Sequence, residues 1–155
     1  MEKLNERLLS AWLTLSTVVD NERLVSSIPF NEAHVCNLLY QQRRDNPDEY
    51  LTATDLCAST RMLKSQMNKV LASLEKRNMI TRFPSPDDKR KAYIKLVEEN
   101  LHLYEAIHAR TMLIVDHAIE QFGVETSEKM IDYFLLAAKV VDESLSHDGV
   151  RSHKW

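Results

Sequence analysis

Glycine is almost missing from this chain, with two in 155 residues, and there are only four prolines. So few sharp-turning residues argue for long helices joined by few turns. The same scarcity leaves little material for tight catalytic loops. There is no glycine-rich phosphate loop and no Ser-His-Asp set in a strand-turn-helix context, and paired carboxylates occur only on exposed helix faces, so no enzyme is expected. Two cysteines, Cys36 and Cys57, make no disulfide framework and fit a reducing, cytoplasmic setting. No apolar run reaches the roughly 18 residues of a membrane span. The opening MEKLNERLL has no hydrophobic region of the signal-peptide kind, so neither a span, a leader nor a membrane partner is expected. Six histidines include no i, i+4 pair, the spacing that puts two imidazoles on one helix face, so no metal and no cofactor is expected. Internal repeats and low-complexity tracts are absent. A chain of this length can bury one sizeable core, as one unit or two closely packed lobes.

What is present is concentrated between Thr52 and Leu96. The spacing predicts a short helix, a tight turn, a longer helix, and two strands around a charged loop. Met67, Val70, Leu71 and Leu74 fall at i, i+3, i+4 and i+7, a stripe for burial. The opposite face carries Lys64, Ser65, Gln66, Asn68, Lys69 and Lys76, side chains able to donate to phosphates or base edges. Alternation in Ile80–Phe83 and Tyr93–Leu96 suits half-buried strands. The intervening PSPDDKRKA, with two prolines and three consecutive cations, is too stiff and too charged for a core. Helix, turn, helix and a two-stranded wing are the layout of a winged helix-turn-helix, a nucleic-acid reader.

Charge agrees with that layout. From Arg61 to Lys95 ten Lys or Arg face three acids (Glu75, Asp87, Asp88), a local +7 in a chain whose net charge is −3. The remainder therefore carries −10. A basic face on an acidic body suits phosphate binding, because salt screens charges beyond about 10 Å and only the local field counts. The plainer alternative is a solvated helix beside a charged loop.

The rest of the chain reads as helix. Residues 2–26 carry Leu4, Leu8, Ala11, Trp12, Leu15, Val18, Val19 and Val25 on one stripe. Asn31 offers an N-cap for a second helix, 32–44, ended by Asn46–Pro47. Thr52 or Thr54 caps the third, 53–59, whose Asp55 suits a positive helix end. After the wing a long helix runs 98–122 to Gly123, a natural C′ residue. Thr126 or Ser127 then starts a last helix with Met130, Ile131, Phe134, Leu135, Ala138, Val141 and Leu145 inward. The terminal stripes have little else in the chain to cover them, which predicts a two-fold homodimer built by the first, fifth and sixth helices. The expected organisation is a helical dimerisation region at 1–30 and 98–146, a winged helix-turn-helix at 31–97, and a tail at 147–155.

With those residues placed, the chain resembles the MarR family of bacterial transcriptional regulators from about Leu8 to Leu145. The sharpest match is Asp88–Lys89–Arg90 followed by Leu96, like the family's D-x-R…L wing. LTATDLCAST…KSQMNKVLASLEKRNMITR resembles its strand-turn-helix block. Arg61 stands where that turn often has Gly, Leu63 where the reading helix often has a Ser cap, Asn78 for the usual Gly after it, and Val97 for a capping Thr. The resemblance implies a homodimer on double-stranded, palindromic DNA. Ser65, Gln66, Asn68 and Lys69 would enter the major groove and Lys64 would steer on phosphate. Lys89, Arg90 and Lys91 would act at the wing tip, whose shape Asp88 would hold by pairing with a cation. Relatives commonly bind a small aromatic ligand in a crevice that Trp12, Ser16, His34, Leu38 and His108 would line here.

The expected function is thus a sequence-specific DNA-binding transcriptional regulator, a repressor released by a small-molecule ligand. Two alternatives stay open. One is a thiol- or metal-responsive regulator of the same fold, through a partly exposed Cys36 or through Cys36, His102, Glu105 and His108; Cys57 on the packed face reads as a small hydrophobe. The other is a winged-helix protein-interaction module that never meets DNA.

Overall fold

A computed structural model of the chain describes residues 2–21, 28–86 and 88–147. The elements are α1 (Glu2–Asn21), α2 (Phe30–Asp45), β1 (Leu51–Thr52), α3 (Ala53–Thr60), α4 (Lys64–Lys76), β2 (Ile80–Pro84), β3 (Ala92–Leu96), a 3₁₀ turn (Glu98–Asn100), α5 (Leu101–Phe122) and α6 (Val124–His147). The chain is mainly helical, as its scarcity of glycine and proline implies. Packing divides it into two units, Met1–Thr111 and Met112–Trp155, with the boundary inside α5.

The core lies in the first unit. Val35, Cys36 and Leu39 of α2 and Leu56 of α3 meet the α4 stripe Met67, Val70, Leu71 and Leu74, closed by Ile80, Ile94 and Leu96 from the sheet and Tyr104 from α5. All four α4 positions chosen by period are buried. The sheet is antiparallel in the order β1-β3-β2. Ile80 pairs with Leu96 and Arg82 with Ile94, so one face turns to the core. On the other face Phe83 pairs with Tyr93, and Tyr50 packs edge-on against Phe83 with ring centroids 4.8 Å apart. The expected two-stranded wing gains a third short strand, since Leu51 pairs with Ile94 and Thr52 with Tyr93. Two residues are too short a run to show a period.

Local chemistry sets the helix ends. The Thr52 and Asp55 side chains cap α3 reciprocally: the Thr52 amide donates to Asp55 Oδ2 at 2.8 Å and the Asp55 amide to Thr52 Oγ1 at 3.3 Å. Helix α4 ends in a Schellman turn. The Met79 amide donates to the Leu74 carbonyl and the Asn78 amide to the Glu75 carbonyl, with Asn78 left-handed at φ 54°. Gly123, at φ 77°, ends α5 as expected.

Several boundaries differ from the sequence expectation. Helix α2 starts at Phe30, not after an Asn31 cap: extended Pro29 stands at the N-cap, and its carbonyl accepts from the Ala33 amide at 3.0 Å. Helix α6 starts directly after Gly123, whose carbonyl accepts from the Ser127 amide, so Thr126 and Ser127 lie inside it. A 3₁₀ turn precedes α5, where Val97 supplies no side-chain cap. The expected continuation of the first helix through Val25 and the tail beyond His147 fall outside the described residues.

The apolar stripe expected of α6 is uncovered in its own unit: Ile131, Phe134 and Leu135 are all more than half exposed. In the second unit, surface pairs such as Lys129–Glu125 at 2.6 Å dress α6 instead. Described residues of α1 are likewise largely exposed, including Leu4, Leu8, Trp12 and Leu15.

Candidate nucleic-acid interface

Burial of Met67, Val70 and Leu71 fixes the rotation of α4, and the 3.6-residue period then turns Lys64, Ser65, Gln66, Asn68 and Lys69 to solvent. All five are exposed. The start of this helix is bare, because Leu63 is its N-cap and offers no side-chain acceptor. Its first amide donors and positive dipole end are therefore open to an incoming anion. Arg61, where a left-handed residue is needed, adopts φ 61° and leads into this start. Thr60 Oγ1 accepts from the Met62 amide at 3.2 Å and braces the turn.

The wing loop is held mainly through its backbone. The Ser85 amide donates to the Lys91 carbonyl at 3.0 Å and the Lys91 amide to the Asp88 carbonyl at 2.9 Å. The Asp88 carboxylate accepts from the Arg90 amide at 3.0 Å. Asp88 thus shapes the wing through a backbone N–H rather than by the expected cation pairing. An Asx turn fits the two-residue spacing, and it leaves the neighbouring cations free to point outward. Sequence reading missed Ser85, which is buried and whose hydroxyl accepts from the Asp88 amide at 3.4 Å. Its place between two prolines was the available signal.

The cations divide by partner. Arg82 forms a two-point pair with Glu75 at 3.0 and 2.9 Å, tying β2 to α4. Lys95 lies over the Phe83 ring. Among the described residues no acidic side chain comes within ion-pair distance of Lys64, Lys69, Lys89, Arg90 or Lys91, which are exposed and available to an external anion. Arg90 and Lys91 also line an open cleft of about 330 Å³ with Thr54, Asp55 and Arg82, between the start of α3 and the base of the wing. There Asp55 is held below the usual carboxylate range by hydrogen bonds from the Thr52 side chain and backbone, with a smaller contribution from Lys91.

The expected ligand residues are less unified. Trp12 and Ser16 lie on exposed α1, whereas His34, Leu38 and His108 are half-buried. His34 faces Phe30 at 6.4 Å, and burial pushes its pKa below the ordinary value. His108 belongs to a different cluster, 5.3 Å from Tyr40 and 5.8 Å from Tyr104 by ring centroid. The Tyr104 hydroxyl donates to Asn37 Oδ1 at 3.0 Å.

Cys36 is fully buried rather than partly exposed. Burial, with Glu32 nearby, pushes its thiol up to about 12, so little reactive thiolate forms. Cys57 packs against the core as a small hydrophobe. Among the described residues no three His, Cys, Asp or Glu side chains gather in a metal-binding group. No helix among those residues is long and apolar enough to cross a membrane.

The fold and exposed surfaces define a winged helix-turn-helix protein with long flanking helices. Residues 41–91, from the end of α2 through the wing loop, match the MarR family model. Similar solved structures include a transcriptional regulator designated PA4135 (20% identity, 88% of this chain and 96% of that one, TM-score 0.68). Another is the MepR–DNA complex of S. aureus (19%, 91% and 98%, 0.66). A third is the PcaV transcriptional regulator of Streptomyces coelicolor with its natural ligand (17%, 88% and 91%, 0.65). At these identities the likeness is one of fold. No curated protein sequence matches the chain significantly. MarR-family proteins are transcriptional regulators and not enzymes.

Proposed function

We propose that this protein is a DNA-binding transcriptional regulator that acts as a homodimer on a palindromic duplex. One observation carries the reading. The exposed face of α4 and the wing tip present amide, hydroxyl and exposed cationic groups on a fold whose core fixes both elements. Gln66 and Asn68 have the two-point amide geometry for adenine, and Lys69 suits guanine or phosphate. Lys64 and the bare start of α4 suit backbone phosphate. Lys89, Arg90 and Lys91 suit a narrow minor groove, where negative potential is enhanced. That MepR has been seen bound to DNA in the same fold supports the reading.

The functional division proposed is a winged helix-turn-helix at 31–97 with dimerisation helices on either side, at 1–30 and 98–146. Apolar stripes on α1 and α6 favour a second copy of the chain as the partner that covers them. Repression, with release by a small aromatic ligand, is the regulatory sense we favour. PcaV, crystallised with a natural ligand, gives that precedent. His34 and His108 with their aromatic neighbours are where we place ligand sensitivity.

Selection of bound duplexes from a random pool, followed by mobility shifts on the winners, tests the function. Tight binding should need two half-sites about 10 base pairs apart. Lengthening the spacing by half a turn should hurt more than by a full turn. Failure to shift any duplex at low salt would leave the protein-interaction reading instead.

A further inference from the structure

Glu32 is a charged residue in a place where charge is costly. It lies in the first turn of α2, its side chain is only 6% exposed, and its Oε2 atom accepts no hydrogen bond. Its ion-pair partner is Arg77, whose Nε lies 3.6 Å from that oxygen and whose own side chain is 42% exposed. A buried carboxylate whose lone pairs are incompletely satisfied contributes little to stability and often opposes it. The contact therefore needs another explanation than holding the fold together.

Arg77 is the C-cap of α4, the first residue of the Schellman turn that ends the exposed polar helix. That corner is gripped from a second side. The Asn100 side-chain amide donates to the Asn78 carbonyl at 2.8 Å, and the Val97 amide donates to the Met79 carbonyl at 2.9 Å. Glu32 thus reaches the corner from α2, and Asn100 reaches it from the turn that leads into α5. These two supports are themselves linked: Arg43 of α2 pairs with Glu98 at 2.7 Å, and Tyr104 of α5 bonds Asn37 of α2. Because a Schellman turn is closed by its own backbone bonds, moving the corner moves the end of α4 with it.

We propose that Glu32 and Asn100 are positioning residues that set the angle at which α4 presents Gln66, Asn68 and Lys69. This rests on the DNA-binding reading of that face and adds what fixes it. The Arg77–Asn78 corner is where α2 and the start of α5 jointly determine the reading helix. A shift of α2 against α5 is transmitted to α4 at this point.

The prediction has a sign that a purely structural contact would not share. Glu32→Gln removes a buried charge, while the Arg77 side chain is 42% exposed and keeps its contact with water, so thermal stability should hold or rise. Binding to the tightest duplex selected from a random pool should nevertheless weaken about tenfold, the scale of coupling between groups in direct contact. Binding to a scrambled duplex of equal length should not change, and the salt slope should stay the same, because no phosphate contact is lost. Asn100→Ala, at a more exposed contact, should shift discrimination in the same direction.

Amide NMR shifts of Gln66, Asn68 and Lys69 in the free protein supply a readout that needs no DNA. They should move in both variants although neither substitution is on α4. Unmoved shifts, or a fall in melting temperature with equal loss on selected and scrambled duplexes, would overturn the proposal. If the wild type bound no duplex while those shifts still moved, the DNA-binding reading would fall and the positioning role would stand.

Discussion

In α4, Met67, Leu71 and Leu74 recur at helical spacing and are fully buried. In α6, Ile131, Phe134 and Leu135 recur at comparable spacing and stay more than half exposed. Both helices are amphipathic, so period alone does not distinguish them. The α4 stripe has α2, α3 and a three-stranded sheet around it, and each supplies apolar side chains at contact distance. Within its own unit α6 has no such surroundings. An amphipathic period specifies which face will be buried, but burial itself requires a partner surface. The contrast therefore separates a region whose apolar face is covered within its own unit from one whose apolar face is exposed there.

The largest effect expected falls on the region with the exposed apolar face. Wild-type protein should sediment as two copies of the 18.0 kDa chain at micromolar concentration. Phe134→Glu with Leu135→Glu should give a single-chain species, because a charge buried without a partner costs several kcal/mol. A wild type that already runs as one 18.0 kDa chain would remove the dimer from the account.

A second substitution probes the region with the covered apolar face. Leu71→Ala leaves a void among fully buried neighbours and should cost about 2–5 kcal/mol in urea unfolding. In protein already dissociated by the α6 charges, that cost should not depend on protein concentration. A strong concentration dependence there would mean that the winged helix is not complete in one chain.

Within the winged helix, reader and clamp can be told apart. Asn68→Ala or Gln66→Ala should lose about 1–3 kcal/mol on the best selected duplex and less on others, with the salt slope unchanged. Arg90→Ala should weaken binding to most sequences alike and flatten the salt slope by about one unit. The reverse pattern would exchange their roles.

The smallest effect concerns His34. Its folded pKa is depressed by burial, so between that value and the ordinary one the unfolded chain binds more protons. Stability should therefore decline as pH falls below about 6.5. His34→Gln should remove part of that decline in a melting series, and an unchanged slope would assign it to other groups.

Much of the winged helix was legible in the sequence because its determinants are local. The period of α4 named all four of its buried stripe residues, Thr52 with Asp55 announced the cap of α3, and Asn78 took the left-handed turn its chemistry allows. Strand β1 escaped notice because two residues carry no period, and Asn31 misled because Pro29 could start α2 without a side-chain cap. Cys36 was expected to be partly exposed and is fully buried. Its burial depends on which side of that helix the core occupies.

The sequence by itself determined the run of helices, the faces they offer for burial, and the concentration of cations around the turn and wing. These follow from spacing and from the conformational limits of single residues. Only the tertiary structure decided which cations are spoken for. Arg82 is held by Glu75 seven residues earlier, whereas Arg77 is met by Glu32 from a helix far back in the chain. Tertiary packing likewise turned Asp88 onto a backbone amide and left Lys64, Lys69 and Arg90 exposed. Charge along a chain is a sum over residues, but the availability of a charge depends on what the fold brings within a few ångströms of it.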